Sequence, residues 1–162
     1  MNLKIEPLTR AAFAPFGDVI DCDGENHYTI NQGFAERYHD LARVDVVADG
    51  GRPLINLFRA KPRSLPLRIA MMERHPLSSQ AFMPLMPRAF LVIVAKSGAA
   101  PSAQDLRCFR THGLQGVNYA AGTWHHPLIA LESEQDFLVV DRGGPGKNCD
   151  EVDIAGEVFV AD

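Results

Sequence analysis

Turn signals cut this chain into short pieces, and that limits its fold more than any other feature. Its 13 glycines and 11 prolines fall between segments that read as extended. These are Leu3 to Leu8, Asp18 to Asp21, Tyr28 to Asn31, Ala42 to Val47, Pro53 to Arg59, Leu67 to His75, Gln80 to Leu85, Phe90 to Ala95, Leu106 to Thr111, Gly116 to Tyr119, Pro127 to Leu131, Asp136 to Asp141 and Glu157 to Val160. Glycine and proline supply the backbone angles of tight turns and interrupt both helices and strands. Asp23-Gly24-Glu25-Asn26 and Asp49-Gly50-Gly51 read as turns of this kind. One brief helix, Arg10 to Phe13, has Thr9 as its cap. Phe34 to Leu41 fits a strand or a helical turn equally. Many short strands at roughly ten-residue spacing predict an all-β antiparallel sandwich or barrel.

No repeat, low-complexity tract or linker divides the 162 residues, so one domain spanning 1–162 is expected. A chain of this size buries about 70% of its unfolded surface in one core. A net charge of −4 gives no field for nucleic acid or an anionic membrane, though it leaves room for a local anion pocket. No stretch is long enough to span a bilayer, and Met1 to Glu6 has no apolar signal core. Cys22, Cys108 and Cys149 are odd in number and match no zinc spacing, which predicts free thiols in a reducing compartment. The expected location is the cytoplasm.

The chemistry concentrates in two places. From Leu67 to His75 the residues alternate, so Leu67, Ile69, Met71, Glu73 and His75 share one face of a strand. An apolar face that ends in a carboxylate and an imidazole costs free energy unless those groups are paired, metal-bound or used. The second place is Gly122-Thr123-Trp124-His125-His126-Pro127. Glu73-x-His75-x-x-x-x-Gln80 and Ala120-x-Gly122-x-x-His125 have the spacing of the two motifs of cupins, which place polar groups from adjacent strands around one point inside a jelly-roll β-barrel. The chain therefore resembles a degenerate cupin, with Glu73, Gln80 and Ala120 standing where His, Glu and Pro are usual. Glu73, His75, Gln80 and His125 form a candidate divalent-metal set. The neutral Gln80 lowers the expected affinity. In an extended segment His125 and His126 point to opposite faces, and His125 holds the motif position. Trp124, the only tryptophan, fits a core position or a substrate contact. Arg59 closes an apolar strand and offers a bidentate site for a carboxylate. No phosphate loop or Ser/His/Asp pattern appears.

A broader resemblance runs through Phe16 to Ile20, Glu36 to Leu41, Glu73 to Leu77, Gln80 to Phe82, Gln115 to Tyr119, Trp124 to Leu128 and Asp141 to Gly144. With these segments the chain resembles the ureidoglycolate lyase family, cupin-like enzymes of allantoin catabolism. The resemblance implies cleavage of (S)-ureidoglycolate to glyoxylate and urea, a homodimer and a nickel dependence. On that reading His75 or His125 is the base, and Glu73, raised by burial, is the acid. Gln80 and Asn118 bind the ureido group, and Arg59 or a neighbouring arginine binds the carboxylate. The Phe90–Ala95 run and the N-terminal segment are candidate dimer surfaces. The rival readings are a metal-dependent cupin dioxygenase or isomerase and a non-catalytic small-anion sensor.

Overall fold

Thr9 caps the first helix as its position implies: its hydroxyl accepts from the Ala12 amide at 3.2 Å, and the helix α1 (Arg10–Phe13) follows. The computed structural model describes residues 1–24 and 26–161; Glu25, part of the turn expected at 23–26, lies outside them. Around α1 run the strands β1 (Asn2–Leu3), β2 (Ile5–Pro7), β3 (Gly17–Ile20), β4 (His27–Ile30), β5 (Ala35–Tyr38) and β6 (Arg52–Ala60). Next come β7 (Leu67–Arg68), β8 (Met71–Arg74), β9 (Gln80–Pro84), β10 (Phe90–Ala95), β11 (Arg107–Arg110) and β12 (Gly116–Tyr119). The last are β13 (Trp124–His125), β14 (Ile129–Ala130), β15 (Gln135–Gly143), β16 (Asp150–Asp153) and β17 (Phe159–Val160). Among the described residues no helix is long and apolar enough to cross a membrane.

The architecture is all-β and cupin-like, but the expected barrel does not close. A seven-stranded sheet runs β16-β8-β13-β10-β11-β2 with β14 also on β10, and a five-stranded sheet runs β3-β12-β9-β15-β6. The two share no ladder, so they stack as a sandwich. The strands pair antiparallel except β1 with β17 and β11 with β2, which are parallel. The chain crosses between the two sheets through turns, among them those at residues 75–79 and 120–123.

β10 explains how the layers hold. Its apolar run is buried on both faces. Phe90, Val92 and Val94 face the five-stranded sheet, where they meet Phe82, Val117, Phe137 and Val139. Phe90 and Phe137 contact edge to face at 5.0 Å. Leu91, Ile93 and Ala95 face the other way, toward Leu3, Leu67 and Val160 of a small outer sheet β1-β17-β7. Each such side chain contributes roughly 1.5–3 kcal/mol on burial. Since every residue from Phe90 to Ala95 is at most 2% exposed, this run offers no surface to a second copy.

The Leu67–His75 strand is in fact two. It breaks at Ile69-Ala70, where the Ile69 and Ile154 amides bond the carbonyls of Val158 and Ala70. After the break Met72, not Met71, is fully buried and packs beside Leu67 and Ile69. Glu73 and His75 keep their common face, now turned to the interior between the two large sheets. Ala42 to Val47 forms no strand. Side chains hold its backbone instead: Asp18 accepts from the Arg43 amide at 3.1 Å, and Ser79 accepts from the Asp45 amide at 2.8 Å.

Candidate active site

Two of the crossings between the sheets, at residues 75–79 and 120–123, are tied together. The Gly122 amide donates to the His75 carbonyl at 2.9 Å, joining the turn after β8 to the turn before β13. Gly122 has φ +77°, which glycine adopts without a steric cost. The Thr123 hydroxyl donates to the Phe16 carbonyl at 2.9 Å and ties the same turn to the segment after α1. That segment approaches closely because Gly17, at φ +145°, has no Cβ; one would lie 1.9 Å from the Asn118 carbonyl oxygen. Across β8 and β13, Glu73 stands directly opposite His125.

These constraints bring Glu73, His75 and His125 together, with one ligand atom from each lying within 4.8 Å of the others. The His125 Nδ1–H donates to the Thr123 carbonyl at 2.9 Å. Its Nε2 lies 3.5 Å from Glu73 Oε1. That Nε2 is buried and has no hydrogen-bond partner. An unpartnered buried imidazole nitrogen beside a carboxylate and a second imidazole is a donor set that fits a divalent metal. Imidazole and carboxylate together suit nickel, zinc, iron or copper. The His125 imidazole holds the Glu73 carboxyl below the usual carboxylate range, with burial opposing and His75 and His126 reinforcing it. The raised Glu73 expected of a general acid is not found: it stays a carboxylate.

His75 is held from both sides. Nδ1 lies 2.6 Å from the Asn148 carbonyl and Nε2 lies 3.0 Å from Gln80 Oε1. A neutral ring donates through one nitrogen only. The Gln80 amide nitrogen faces Asp141 Oδ2 at 3.5 Å, so Oε1 is the atom it turns to the ring. Gln80 is in turn beside Asp141, whose carboxylate accepts from the Asn56 amide at 2.9 Å. Arg142, next in the chain, turns away from Asp141 and donates to the Ala48 carbonyl at 2.9 Å.

Glu73, Gln80 and His125 line a cavity of about 430 Å³ whose other walls include Phe58, Phe82 and Tyr119. Tyr119 stacks on His125 at 4.3 Å and 11°, and burial together with Glu73 raises its phenol above the ordinary range, keeping the hydroxyl protonated. His126 also lines the cavity, although alternation placed it on the far face. The strand ends at His125, and Pro127 bends the chain, so the period-two rule stops one residue earlier. His126 Nδ1 lies 2.8 Å from the Pro127 carbonyl. Burial lowers this imidazole's pKa and favours the neutral ring, whose Nε2 makes no hydrogen bond among the described residues. At the mouth stand Arg59, Lys61 and Arg63.

Two expected contacts, Asn118 and Trp124, lie away from the cavity, and a third, Arg59, is already engaged. Asn118 is on the outer face of β12, donating to Asp18 and to the Arg43 carbonyl, both at 2.9 Å. Trp124 packs on the opposite side of the seven-stranded sheet under the Arg74 guanidinium, 4.6 Å from the ring centre. Arg59 reaches the rim, but Asp136 binds its guanidinium at 2.8 and 2.9 Å. A second group, Glu73, Cys149 and Glu151, is close enough to share an ion, yet burial and three carboxylates raise the Cys149 thiol, which disfavours the thiolate that metals bind.

With this geometry in place, the comparisons with known proteins point one way. The family description "Ureidoglycolate lyase" matches residues 1–161. A ureidoglycolate lyase of Burkholderia mallei (strain NCTC 10229) is 56% identical over 161 residues, covering 99% of this chain and 94% of that protein. One from Burkholderia cepacia is 57% identical over 152 residues, 93% of this chain and 85% of its own. One from Pseudomonas putida (strain W619) is 53% identical over 150 residues, 93% and 90% respectively.

Proposed function

This chain belongs to the ureidoglycolate lyase family, and we propose that its single domain is a carbon–nitrogen lyase that cleaves (S)-ureidoglycolate to glyoxylate and urea. The observation that carries this is the coincidence of a full-length family match with a small cavity that holds acid–base groups at its floor and cations at its mouth. The substrate is a small anion with a hydroxyl and a ureido nitrogen on one carbon.

Glu73, His75 and His125 would hold a divalent ion, for which nickel is our choice, with Gln80 fixing His75. Such an ion, when bound, lowers the pKa of a hydroxyl it touches. The chain's own residues supply the rest. His126 Nε2 takes the hydroxyl proton, the electron pair left on oxygen forms the C=O bond of glyoxylate, and the C–N bond breaks. The departing ureido nitrogen takes its proton back from His126, giving urea, so no atom is gained or lost. Phe58, Phe82 and Tyr119 exclude water from one side, and the Gln80 amide meets the ureido group. We place the enzyme in the cytoplasm as a homodimer, its contact built on the outer face of the five-stranded sheet where Ile55 and Leu57 are 76% and 68% exposed.

The test assays urea and glyoxylate from purified, chelator-treated protein, with and without added nickel. The wild type is expected to form both products in equal amounts, with nickel restoring what the chelator removed. His126→Ala and His125→Ala should each cost about 10²–10⁴-fold in kcat, with far-UV circular dichroism unchanged and only His125→Ala weakening nickel binding. A wild type that releases neither product under any of these conditions defeats the reading.

A further inference from the structure

We infer that Arg63, rather than Arg59, is the anchor for the substrate carboxylate; this rests on the lyase reading above. The cavity's cationic side chains, Arg59, Lys61 and Arg63, set the anionic end of the substrate toward the mouth. They form a local positive cluster on a chain of net charge −4, and a field of that kind draws small anions in. Arg59 is already engaged: Asp136 takes two of its N–H groups, and Glu134 adds an ion pair at 3.6 Å. A guanidinium spent on a bidentate pair has little left for a ligand.

Arg63 differs on each point. Its guanidinium makes no hydrogen bond or ion pair among the described residues, so its planar fork is free. Its backbone is fixed: the amide donates to the Ala130 carbonyl at 2.8 Å, and the neighbouring Pro62 bridges Ala130. The free cation therefore projects from a held segment. Arg63 and His126 line the same cavity, which places the carboxylate site beside the group that handles the proton. A substrate gripped there sets its carbinol carbon against His126 and turns its ureido end toward Gln80. Lys61, a point charge on a flexible stem, adds attraction without the bidentate geometry.

The test compares wild type, Arg63→Gln, Arg63→Lys and Arg59→Gln by turnover and by calorimetric titration with oxamate, a small carboxylate that needs no reaction. Losing a charged hydrogen-bonded contact should weaken oxamate binding and raise KM by about 10- to 100-fold in Arg63→Gln, with kcat changed much less. Arg63→Lys should recover part of the loss. The defect in Arg63→Gln should exceed that in Arg59→Gln by about tenfold. Wild-type oxamate affinity in Arg63→Gln, or a larger loss in Arg59→Gln, overturns the assignment. The oxamate arm decides this even if ureidoglycolate is not turned over, an outcome that counts against the lyase reading alone.

Discussion

Asn148 shows how much one residue outside the cavity wall contributes. Its carbonyl receives His75 Nδ1, its Oδ1 accepts from the Leu77 amide at 2.8 Å, and its Nδ2 donates to the Ser78 hydroxyl at 2.8 Å. It thus fixes both the ring and the turn that carries the ring. Partners that orient a ligand in this way are typically worth about 10–100-fold in metal affinity or activity. Asn148→Ala is expected to lose nickel affinity and kcat within that range, and KM should change little because Asn148 does not line the cavity. Nickel titration of the metal-free protein, set beside steady-state kinetics, separates this positioning role from a general loss of stability. Sequence spacing alone revealed Glu73, His75, Gln80 and His125 because alternation and the Gly122 turn are local rules. It missed Asn148 because a backbone carbonyl leaves no mark in residue identity. Asn118, by the same alternation, should have been excluded: Val117 and Tyr119 face the core, so residue 118 must face out.

At the scale of elements, β10 and β12 were legible to the residue because their apolar composition and flanking turns agree. β16 was not. Asp150, Glu151 and Asp153 are charged, and the strand exists because β8 offers it a partner edge. The short N-terminal strand β2 depends on a pair of the same long-range kind. Arg107 on β11 grips Glu6 through two N–H groups at 3.1 and 2.7 Å while its guanidinium lies 4.7 Å from the Phe109 ring centre. The Arg107 hydrogen bond holds the Glu6 carboxyl below its ordinary 4.5. A depressed carboxyl contributes stability that is present above the unfolded value and is lost as pH falls through the folded one. Glu6→Gln should therefore melt below the wild type at pH 7, by under about 1 kcal/mol because the pair is partly solvated. The two melting temperatures should converge as the pH drops beneath 4.5. Thermal melts across that range check it, and a gap that persists in acid would assign the effect to packing instead of charge.

For the whole molecule, the unanswered feature is the outer face of the five-stranded sheet. β6 is its edge strand, and a long apolar edge is a surface that proteins normally cover. Register places Leu57 opposite Leu138 and Ile55 opposite Val140, with Met83 next to Leu138 on β9. Their side chains share the face that points away from the sandwich. The cavity opens at the far end of the same strand, where β6 runs into Arg59 and Ala60, so a second copy seated on Ile55 and Leu57 would brace the strand that carries the mouth. A stable contact needs about 800 Å² from each partner, and two charges at its centre are enough to break one. Light scattering after size exclusion should give the wild type twice the 17.8 kDa chain mass, and Ile55→Asp/Leu57→Asp should give one chain mass with an unchanged circular dichroism spectrum. Because neither side chain reaches the cavity, the double variant should keep the nickel affinity of the wild type. Its KM should rise if the partner steadies the mouth. A wild type that runs as a single chain at micromolar concentration ends the homodimer proposal, and a double variant that stays paired moves the contact to another face.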